Sequence, residues 1–489
     1  MHTVCYDIVV IGSGPAGQKA AIQGAKAGQR VLVIEQEPRV GGACVHRGTI
    51  PSKTLRHSAL TLLNFKRHFG AIAPLTLRPD LELASLMSHL DHVVKAHERY
   101  MAEQLARNGI TQWHGRARFL APRMLEVLSP DGSCRRVTGE IIVIATGSRP
   151  RAPKEIPVDH EHILDSDSLL SILYLPASLT VLGAGVIASE YASIFASLGV
   201  QVTMIDRSVR PVSFLDPELA DCFVRGFEAN GGRFLAQQEV VDVTWDGAAT
   251  VVTTLKSGGV IRSEKLLCAL GRLPNFDGLN ITAAEVALTE RGFIAVDANC
   301  QTTIPHIYAV GDVIGPPSLA SCAMEQGRRA IRHALGLAMG NPSEMIPVGI
   351  YTIPEMASVG LNEHEARQRY GEVVVGRAPF AELARGQIAG ITDGLLKLVA
   401  DTQGQHLLGI QIIGEGATEL IHLGEIGLLA GCTIDAFVDH IFNFPTLAEA
   451  YRVAALDIAK RRPARAGVLS LPTETGDHGR HDRLTPSPR

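Results

Sequence analysis

Two glycine-rich stretches carry the first chemistry in this chain: Gly12-Ser13-Gly14-Pro15-Ala16-Gly17 and Gly183-Ala184-Gly185-Val186-Ile187-Ala188. The spacing GxGxxG/A is what a dinucleotide pyrophosphate demands. The first Gly makes a tight turn, the second lets backbone approach the phosphates, and the third position lets helix and strand come close. The helix N-terminus then offers N–H groups and a dipole to the anion. An acid stands 23 residues after the first glycine of each unit, Glu35 in one and Asp206 in the other. A carboxylate there accepts a hydrogen bond from an adenosine ribose hydroxyl. One such motif is weak evidence, but two complete units with matching spacing predict two bound dinucleotides.

The residues after each acid separate the two sites. Glu35 is followed by Gln36 and Glu37, which repel a 2′-phosphate and suit a free 2′-hydroxyl, as in FAD or NAD. Asp206 is followed by Arg207, with Arg210 three further on. Asp206 favours NAD, while either guanidinium can pair with the 2′-phosphate of NADP. The plainer alternative leaves both arginines as solvated surface charges.

Around these motifs the chain alternates strand and helix. Residues 6–11 form an apolar run of the kind buried on both faces of a parallel sheet. An Ala-rich helix follows to Ala27, Gly28 caps it, and residues 30–35 form the next strand. The second unit repeats this: strand Ser178–Leu182, a helix to Leu198, Gly199, then strand Gln201–Ile205. Between the units, Leu83, Leu86, Met87, Leu90, Val94, Met101 and Leu105 mark a helix ending at Asn108-Gly109. Strands at 141–144 and 307–310 run into Ala145-Thr146-Gly147 and Gly311-Asp312. From about Pro347 the pattern becomes α+β, with strands Leu395–Ala400 and Leu407–Ile413 and a helix from Thr418.

The expected fold is therefore α/β, with two Rossmann-like dinucleotide-binding domains and a C-terminal α+β domain. Residues 1–155 with 276–345 form the first domain, 156–275 the second and 346–465 the third. Residues 466–489, rich in Pro, Arg and Gly, read as a disordered tail.

Composition narrows the function. The 489 residues are 46% hydrophobic and 20% charged, with net charge −4, an ordinary globular balance that excludes a fibrous or disordered chain. The 46 basic and 50 acidic residues are intermixed, so no nucleic-acid partner is expected. No run approaches the length of a membrane span. The eight cysteines form no CxxC and no zinc-ribbon spacing, so neither a disulfide framework nor a metal is expected. His89 and His92 lack a third ligand in view. The first residues lead straight into a strand, without a charged n-region or a cleavable apolar region. A cytoplasmic protein is the expectation.

With these motifs in hand, the chain resembles the two-dinucleotide flavoprotein disulfide reductases, the group of glutathione reductase and dihydrolipoamide dehydrogenase. The likeness runs from about residue 5 to about residue 460. It rests on the first GxGxxG, Gly41-Gly42-x-Cys44, Ile50-Pro51-Ser52-Lys53, Ala145-Thr146-Gly147 and GxGxxA-x-Glu190. It extends through Gly271-Arg272-x-Pro274-Asn275, Tyr308-Ala309-Val310-Gly311-Asp312 and Pro445-Thr446-x-x-Glu449. The resemblance implies FAD in the first unit, a nicotinamide dinucleotide in the second, and a homodimer or higher homo-oligomer built through the C-terminal domain.

By the same resemblance FAD is held by Gly12, Gly14, Gly17, Glu35, Gly42, Cys44, Thr49, Lys53, Thr146, Gly147, Gly311 and Asp312, with Asp312 on the ribityl chain. NAD(P) is held by Gly183, Gly185, Ala188, Glu190, Asp206, Arg207, Arg210 and Gly271. Lys53 and Glu190 are the catalytic residues, an ion pair beside flavin N5. The ammonium stabilises negative charge on the reduced ring, and the carboxylate keeps it oriented and charged.

Two departures matter. The family's dithiol has the spacing C-x4-C, but here Cys44 is followed by Thr49; its acid/base His precedes Pro-Thr, but here Phe444 stands there. A disulfide needs two sulfurs, and a phenyl ring cannot shuttle a proton. The hydride-accepting half remains. A second nicotinamide dinucleotide is the simplest oxidant, giving NADPH + NAD⁺ → NADP⁺ + NADH by ping-pong exchange through FAD.

Cys44-Val45-His46-Arg47-Gly48-Thr49 and Asn443-Phe444-Pro445-Thr446 resemble the soluble pyridine nucleotide transhydrogenase branch, as do residues 349–355 and 448–455. The alternatives are an NAD(P)H diaphorase or quinone reductase, and a non-enzymatic flavin-binding redox-sensor scaffold. Cys44 reads as a small buried residue rather than a reactive thiol, and His422 as a surface or interface residue rather than a base. Phe444 either covers the flavin pocket or belongs to the interface core.

Overall fold

The structure is a computed structural model that describes residues 3–69, 83–340 and 345–462. The strand Thr3–Ile11 lies at the centre of the first sheet, and its Ile8, Val9 and Val10 are fully buried. Parallel neighbours order this sheet as Thr111–His114, Val31–Glu35, Thr3–Ile11, Cys134–Ile144 and Ile307–Ala309. Burial on both faces is what a parallel sheet covered by helices imposes, and the unbroken Ile/Val run answers it.

The strand read at 141–144 is longer in the structure. Its first half pairs antiparallel with Met124–Leu128, which in turn pairs with Arg116–Ala121. Arg135 and Arg136 are exposed there, so this half shows no apolar run in the sequence.

The second sheet repeats the design, with parallel neighbours Arg233–Leu235, Gln201–Ile205, Ser178–Leu182, Lys265–Cys268 and Ile163–Asp165. In both sheets the strand before the glycine turn lies between its acid-bearing successor and a strand ending in Ala-x-Gly. Ala145-Thr146-Gly147 and Ala269-Leu270-Gly271 are thus counterparts. The short ribbon of Ser148–Pro150 with Arg272–Pro274 joins the two units. Only after the second sheet is complete does the chain return with Ile307–Ala309 to the first.

The last part is a five-stranded antiparallel sheet ordered Val348–Ile350, Met356–Gly360, Leu407–Ile413, Leu395–Ala400, Val374–Pro379. Helices Ala417–Leu429 and Glu449–Arg461 pack on it. Among the described residues no helix is long and apolar enough to cross a membrane. The tail at 466–489 lies outside the described residues.

A buried charge cluster ties the second unit to this last sheet. Lys397 Nζ lies 2.9 Å from Asp216, 3.1 Å from Glu218 and 2.8 Å from Glu363, and Arg377 stands 2.9 Å from Glu218. Asp216 also caps the helix Pro217–Ala229 by accepting from the Glu218 amide.

Candidate functional site

The glycines of the two turns do different work. Gly12 adopts φ +102°, and a Cβ there would lie 2.4 Å from the Ala145 carbonyl oxygen. A Cβ on Gly17 would lie 2.0 Å from the Gly12 oxygen, so that position is closed by helix–strand contact. Gly14 is the opposite case: the nearest atom to its added Cβ is Gly42 Cα at 3.9 Å. The second unit follows suit, with Gly183 at φ +102° beside the Ala269 oxygen and Gly185 facing open space. Ala188 is fully buried. Neither Gly14 nor Gly185 provides a side-chain cap for its helix, which leaves the first amides available to an anion.

Each acid braces its own turn, a contact the sequence reading missed. Glu35 Oε2 accepts from the Ser13 amide at 2.8 Å and from the Ser13 hydroxyl at 2.6 Å. Asp206 Oδ2 accepts from the Ala184 amide at 2.9 Å, and its Oδ1 from the Ser208 amide at 2.7 Å. In both units the residue after the first glycine is the donor. A carboxylate has about four lone-pair sites, so capacity is left for ribose hydroxyls.

A cleft of about 830 Å³ opens at the first turn. Gly12, Gly14, Glu35, Gly42, Cys44, Thr49, Lys53, Thr146, Gly147, Gly311 and Asp312 line it, and so does Glu190 from the second unit. Gly17 is behind the wall. Gly183, Gly185, Ala188, Asp206, Arg207, Arg210 and Gly271 lie outside this cleft, grouped around the second turn and its flanking loops. Val186, Ile187, Glu190 and Tyr191, with Ser166, Asp167 and Arg272, carry the second unit into it.

At the junction Lys53 Nζ lies 2.6 Å from Glu190 Oε2, and the Tyr351 amide donates to Glu190 Oε1 at 2.9 Å. The Lys53 ammonium also stands 4.9 Å from the centre of the Tyr351 ring. Glu190 is nearly buried, with 5% of its side chain exposed. Lys53 comes from the helix Thr49–Phe69 and Glu190 from Val186–Ser197.

Further residues were not anticipated. Arg272 Nε donates to Ser148 Oγ at 2.8 Å, and Ser148 Oγ donates to Asp312 Oδ2 at 2.6 Å. Asp167 lines the cleft 3.6 Å from Arg272, and burial pushes its carboxyl above the ordinary value despite that guanidinium. Their hints were weak: Arg272 belongs to a noted motif, but a lone Ser in a short strand or a lone Asp in a turn has no sequence signature.

Residues 6–327 match the pyridine nucleotide-disulphide oxidoreductase family, and 346–455 match the dimerisation domain of that name. This chain belongs to the pyridine nucleotide-disulphide oxidoreductase family. Its members bind FAD and pyridine nucleotides.

A soluble pyridine nucleotide transhydrogenase of Mycobacterium tuberculosis (strain ATCC 25177 / H37Ra) is 43% identical over 467 residues, covering 94% of this chain and 98% of its own. One from Vibrio cholerae is 42% identical over 462 residues, covering 92% and 97%. Among solved structures, the HOCl-induced flavoprotein disulfide reductase RclA of Escherichia coli superposes with a TM-score of 0.83 at 27% identity, covering 92% of this chain and 99% of its own. LpdA of Mycobacterium tuberculosis gives 0.84 at 26%, covering 93% and 99%.

The cleft fits the family's flavin dinucleotide. Thr146 Oγ1 and Tyr191 Oη are buried without a hydrogen-bond partner, and both residues line the cleft. Unpaired buried polar groups of this kind call for a partner from outside the chain. The open face of Gly14 leaves room for one. Gly14→Ala is accordingly expected to weaken FAD by about tenfold or more while leaving folding intact, because a methyl displaces the pyrophosphate from the helix amides. Gly17→Ala is expected instead to lower stability by about 1–3 kcal/mol through the clash with Gly12. Flavin-to-protein ratio and thermal melting of each variant check the pair.

Around the cleft the family pattern breaks. Burial pushes the Cys44 thiol up; the hydrogen bond from Thr49 and the Lys53 charge oppose this, and Asp312 reinforces it. All eight cysteines are unpaired. Alkylation of Cys44 by iodoacetamide at pH 7 is expected to run slower than for an ordinary cysteine, since the thiolate is the nucleophile. Peptide mapping against time measures it.

Phe444 is 69% exposed and does not line the cleft of its own chain; Ile441, Leu423, Ile426 and Leu429 are also exposed in this domain. His422 lies at the cleft edge and bonds Glu425 at 2.7 Å. Among the described residues no cluster can hold a metal ion. The two arginines after Asp206 stay at the surface, each in an ion pair: Arg207 with Glu239 at 2.8 Å, and Arg210 with Asp221 at 2.7 and 3.1 Å.

Proposed function

We propose that this family member is an FAD-dependent NAD(P)⁺ transhydrogenase, exchanging hydride between NADPH and NAD⁺ without a redox-active disulfide, and acting as a cytoplasmic homodimer. One juxtaposition carries the reading. The Lys53–Glu190 pair is in place at the cleft, while the residue at position 49 that lines the cleft with Cys44 is a threonine rather than a second thiol. The names of the 43% and 42% identical relatives support the same activity. The dimerisation-domain match, with exposed Ile441 and Phe444, supports the dimer, and eight unpaired cysteines suit a reducing cytoplasm.

Bound FAD supplies a ring that accepts a hydride and gives it up again. On this reading residues 1–155 with 276–345 hold it. Gly12 and Gly17 shape the turn, Gly14 and Gly42 admit the pyrophosphate, Glu35 takes ribose hydroxyls, and Thr146, Gly147, Gly311 and Asp312 line the rest. Residues 156–275 bind the nicotinamide dinucleotide through Gly183, Gly185, Ala188, Asp206, Arg207, Arg210 and Gly271, and residues 346–465 form the interface. Lys53 holds a positive charge where negative charge develops, in a site that Glu190 keeps oriented. Both nucleotides react at the same place in turn, so the exchange consumes no net proton.

Anaerobic titration tests the reading. NADPH should bleach the flavin absorbance and NAD⁺ should restore it, with steady transfer from NADPH to a thio-analogue of NAD⁺. Absent transfer with brisk quinone reduction would make the protein a diaphorase. Flavin that stays oxidised in NADPH would make it a scaffold.

A further inference from the structure

The loop that follows Asp206 is held on both sides. The Val212 amide donates to the Ala184 carbonyl of the second glycine turn at 2.7 Å, and the Gln238 amide donates to the Asp206 carbonyl at 2.9 Å. Arg207 and Arg210 project from this loop, and each guanidinium is captured by a carboxylate from a neighbouring element. Asp221, on the helix Pro217–Ala229, engages Arg210 through both oxygens at 2.7 and 3.1 Å. Glu239, just before the strand Val240–Trp245, takes Arg207 at 2.8 Å and Lys256 at 2.9 Å. With Asp206 included, three carboxylates face three cations.

Charge balance of this kind has a consequence for nucleotide choice. A 2′-hydroxyl dinucleotide needs Asp206 alone and leaves the other pairs undisturbed. A 2′-phosphate needs a guanidinium, and both are already bonded to carboxylates that also repel it. Binding a 2′-phosphate is therefore an exchange of partners, not a simple gain of a charged contact. All the side chains are substantially exposed, 75% for Arg207 and 41% for Arg210, so the exchange requires no desolvation of a buried charge.

Resting on the transhydrogenase reading for its biological sense, we infer that Asp221 and Glu239 are positioning residues that set the balance between 2′-phosphorylated and 2′-hydroxyl dinucleotides, by competing with the 2′-phosphate for Arg210 and Arg207. A protein that must take both nucleotides in turn is served by such a brake: arginines left uncommitted would hold NADP(H) too tightly for NAD⁺ to follow.

The test is equilibrium binding of NADP⁺ and of NAD⁺ to the oxidised, FAD-loaded full chain by calorimetry, where no turnover occurs. Exposed ion pairs shift equilibria by about two- to fivefold. Asp221→Asn and Glu239→Gln should each raise the NADP⁺/NAD⁺ affinity ratio by about threefold, and together by about tenfold. Asp221→Glu, which keeps the charge, should stay near the unaltered ratio. Arg207→Ala with Arg210→Ala should lower it. A ratio unmoved in the double carboxylate variant, or NADP⁺ and NAD⁺ weakened alike, would overturn the inference, since a merely structural role affects both ligands. Absent hydride exchange with a ratio that moves as stated would instead remove the transhydrogenase reading and leave this competition standing.

Discussion

Replacing Lys53 by methionine is expected to slow hydride exchange between NADPH and a thio-analogue of NAD⁺ by about 10²–10³-fold, the scale on which a single preorganised electrostatic contact acts. The ammonium is positioned by Glu190 at 2.6 Å, and Glu190 is itself fixed by the Tyr351 amide. Methionine keeps most of the unbranched apolar stem and removes the ammonium with its charge and donors. It also leaves Glu190 as a nearly buried carboxylate, 5% exposed, without its counter-charge, so thermal stability should fall as well. The pair Lys53→Met with Glu190→Gln separates these effects: stability should recover while the exchange rate stays low. Bound flavin measured per chain keeps loss of cofactor apart from loss of rate. A singly substituted enzyme that exchanges hydride within about threefold of the unaltered rate would show that the charge is not part of the chemistry.

The second large effect is on stability. Lys397 is 3% exposed and faces Asp216, Glu218 and Glu363, so Lys397→Met leaves three carboxylates around an apolar chain, with Arg377 on Glu218 and Arg367 on Glu363 as the remaining cations. Breaking a buried pair by removing one partner costs about 3–5 kcal/mol. The consequence should be a lowered thermal midpoint at neutral pH, beginning where the second unit meets the antiparallel sheet.

The pH dependence follows from the direction of each shift. Burial opposes charge on Glu218 and Glu363, but the bonds from Arg377, Lys397 and Arg367 outweigh it and hold both below the ordinary glutamate value. Their stabilisation is present above about pH 4.3 and disappears as pH falls through the lowered values. Burial likewise opposes charge on Lys397, yet Glu363 and Asp216 hold it above the ordinary lysine value. Its contribution is complete below about pH 10.4 and is lost as pH rises through the raised value. The stability gap between Lys397→Met and the unaltered protein should therefore be widest near neutrality and shrink toward pH 3. Melting curves at pH 7, 5 and 3 measure it, and a constant gap would sink the account.

What could be read along the chain was whatever local backbone geometry demands of residue type. Gly12 and Gly183 stand where φ is +102° and a side chain would strike a carbonyl, so the turns are written in the sequence. The strands Ser178–Leu182, Gln201–Ile205, Leu395–Ala400 and Leu407–Ile413 likewise have the bounds their apolar runs indicate. The missing second cysteine is a matter of composition and needs no coordinates.

Tertiary structure decided what lies between elements. Lys53 and Glu190 are 137 residues apart, and no spacing rule joins them; only the likeness to a known family pointed there. The capture of Arg210 by Asp221, the bracing of Ser13 and Ala184 by Glu35 and Asp206, and the charge cluster on Lys397 had no sequence signal at all. A backbone turn constrains the residue that makes it, whereas a side-chain pair is defined by where two separately folded pieces come to rest, and that follows from packing of the whole chain.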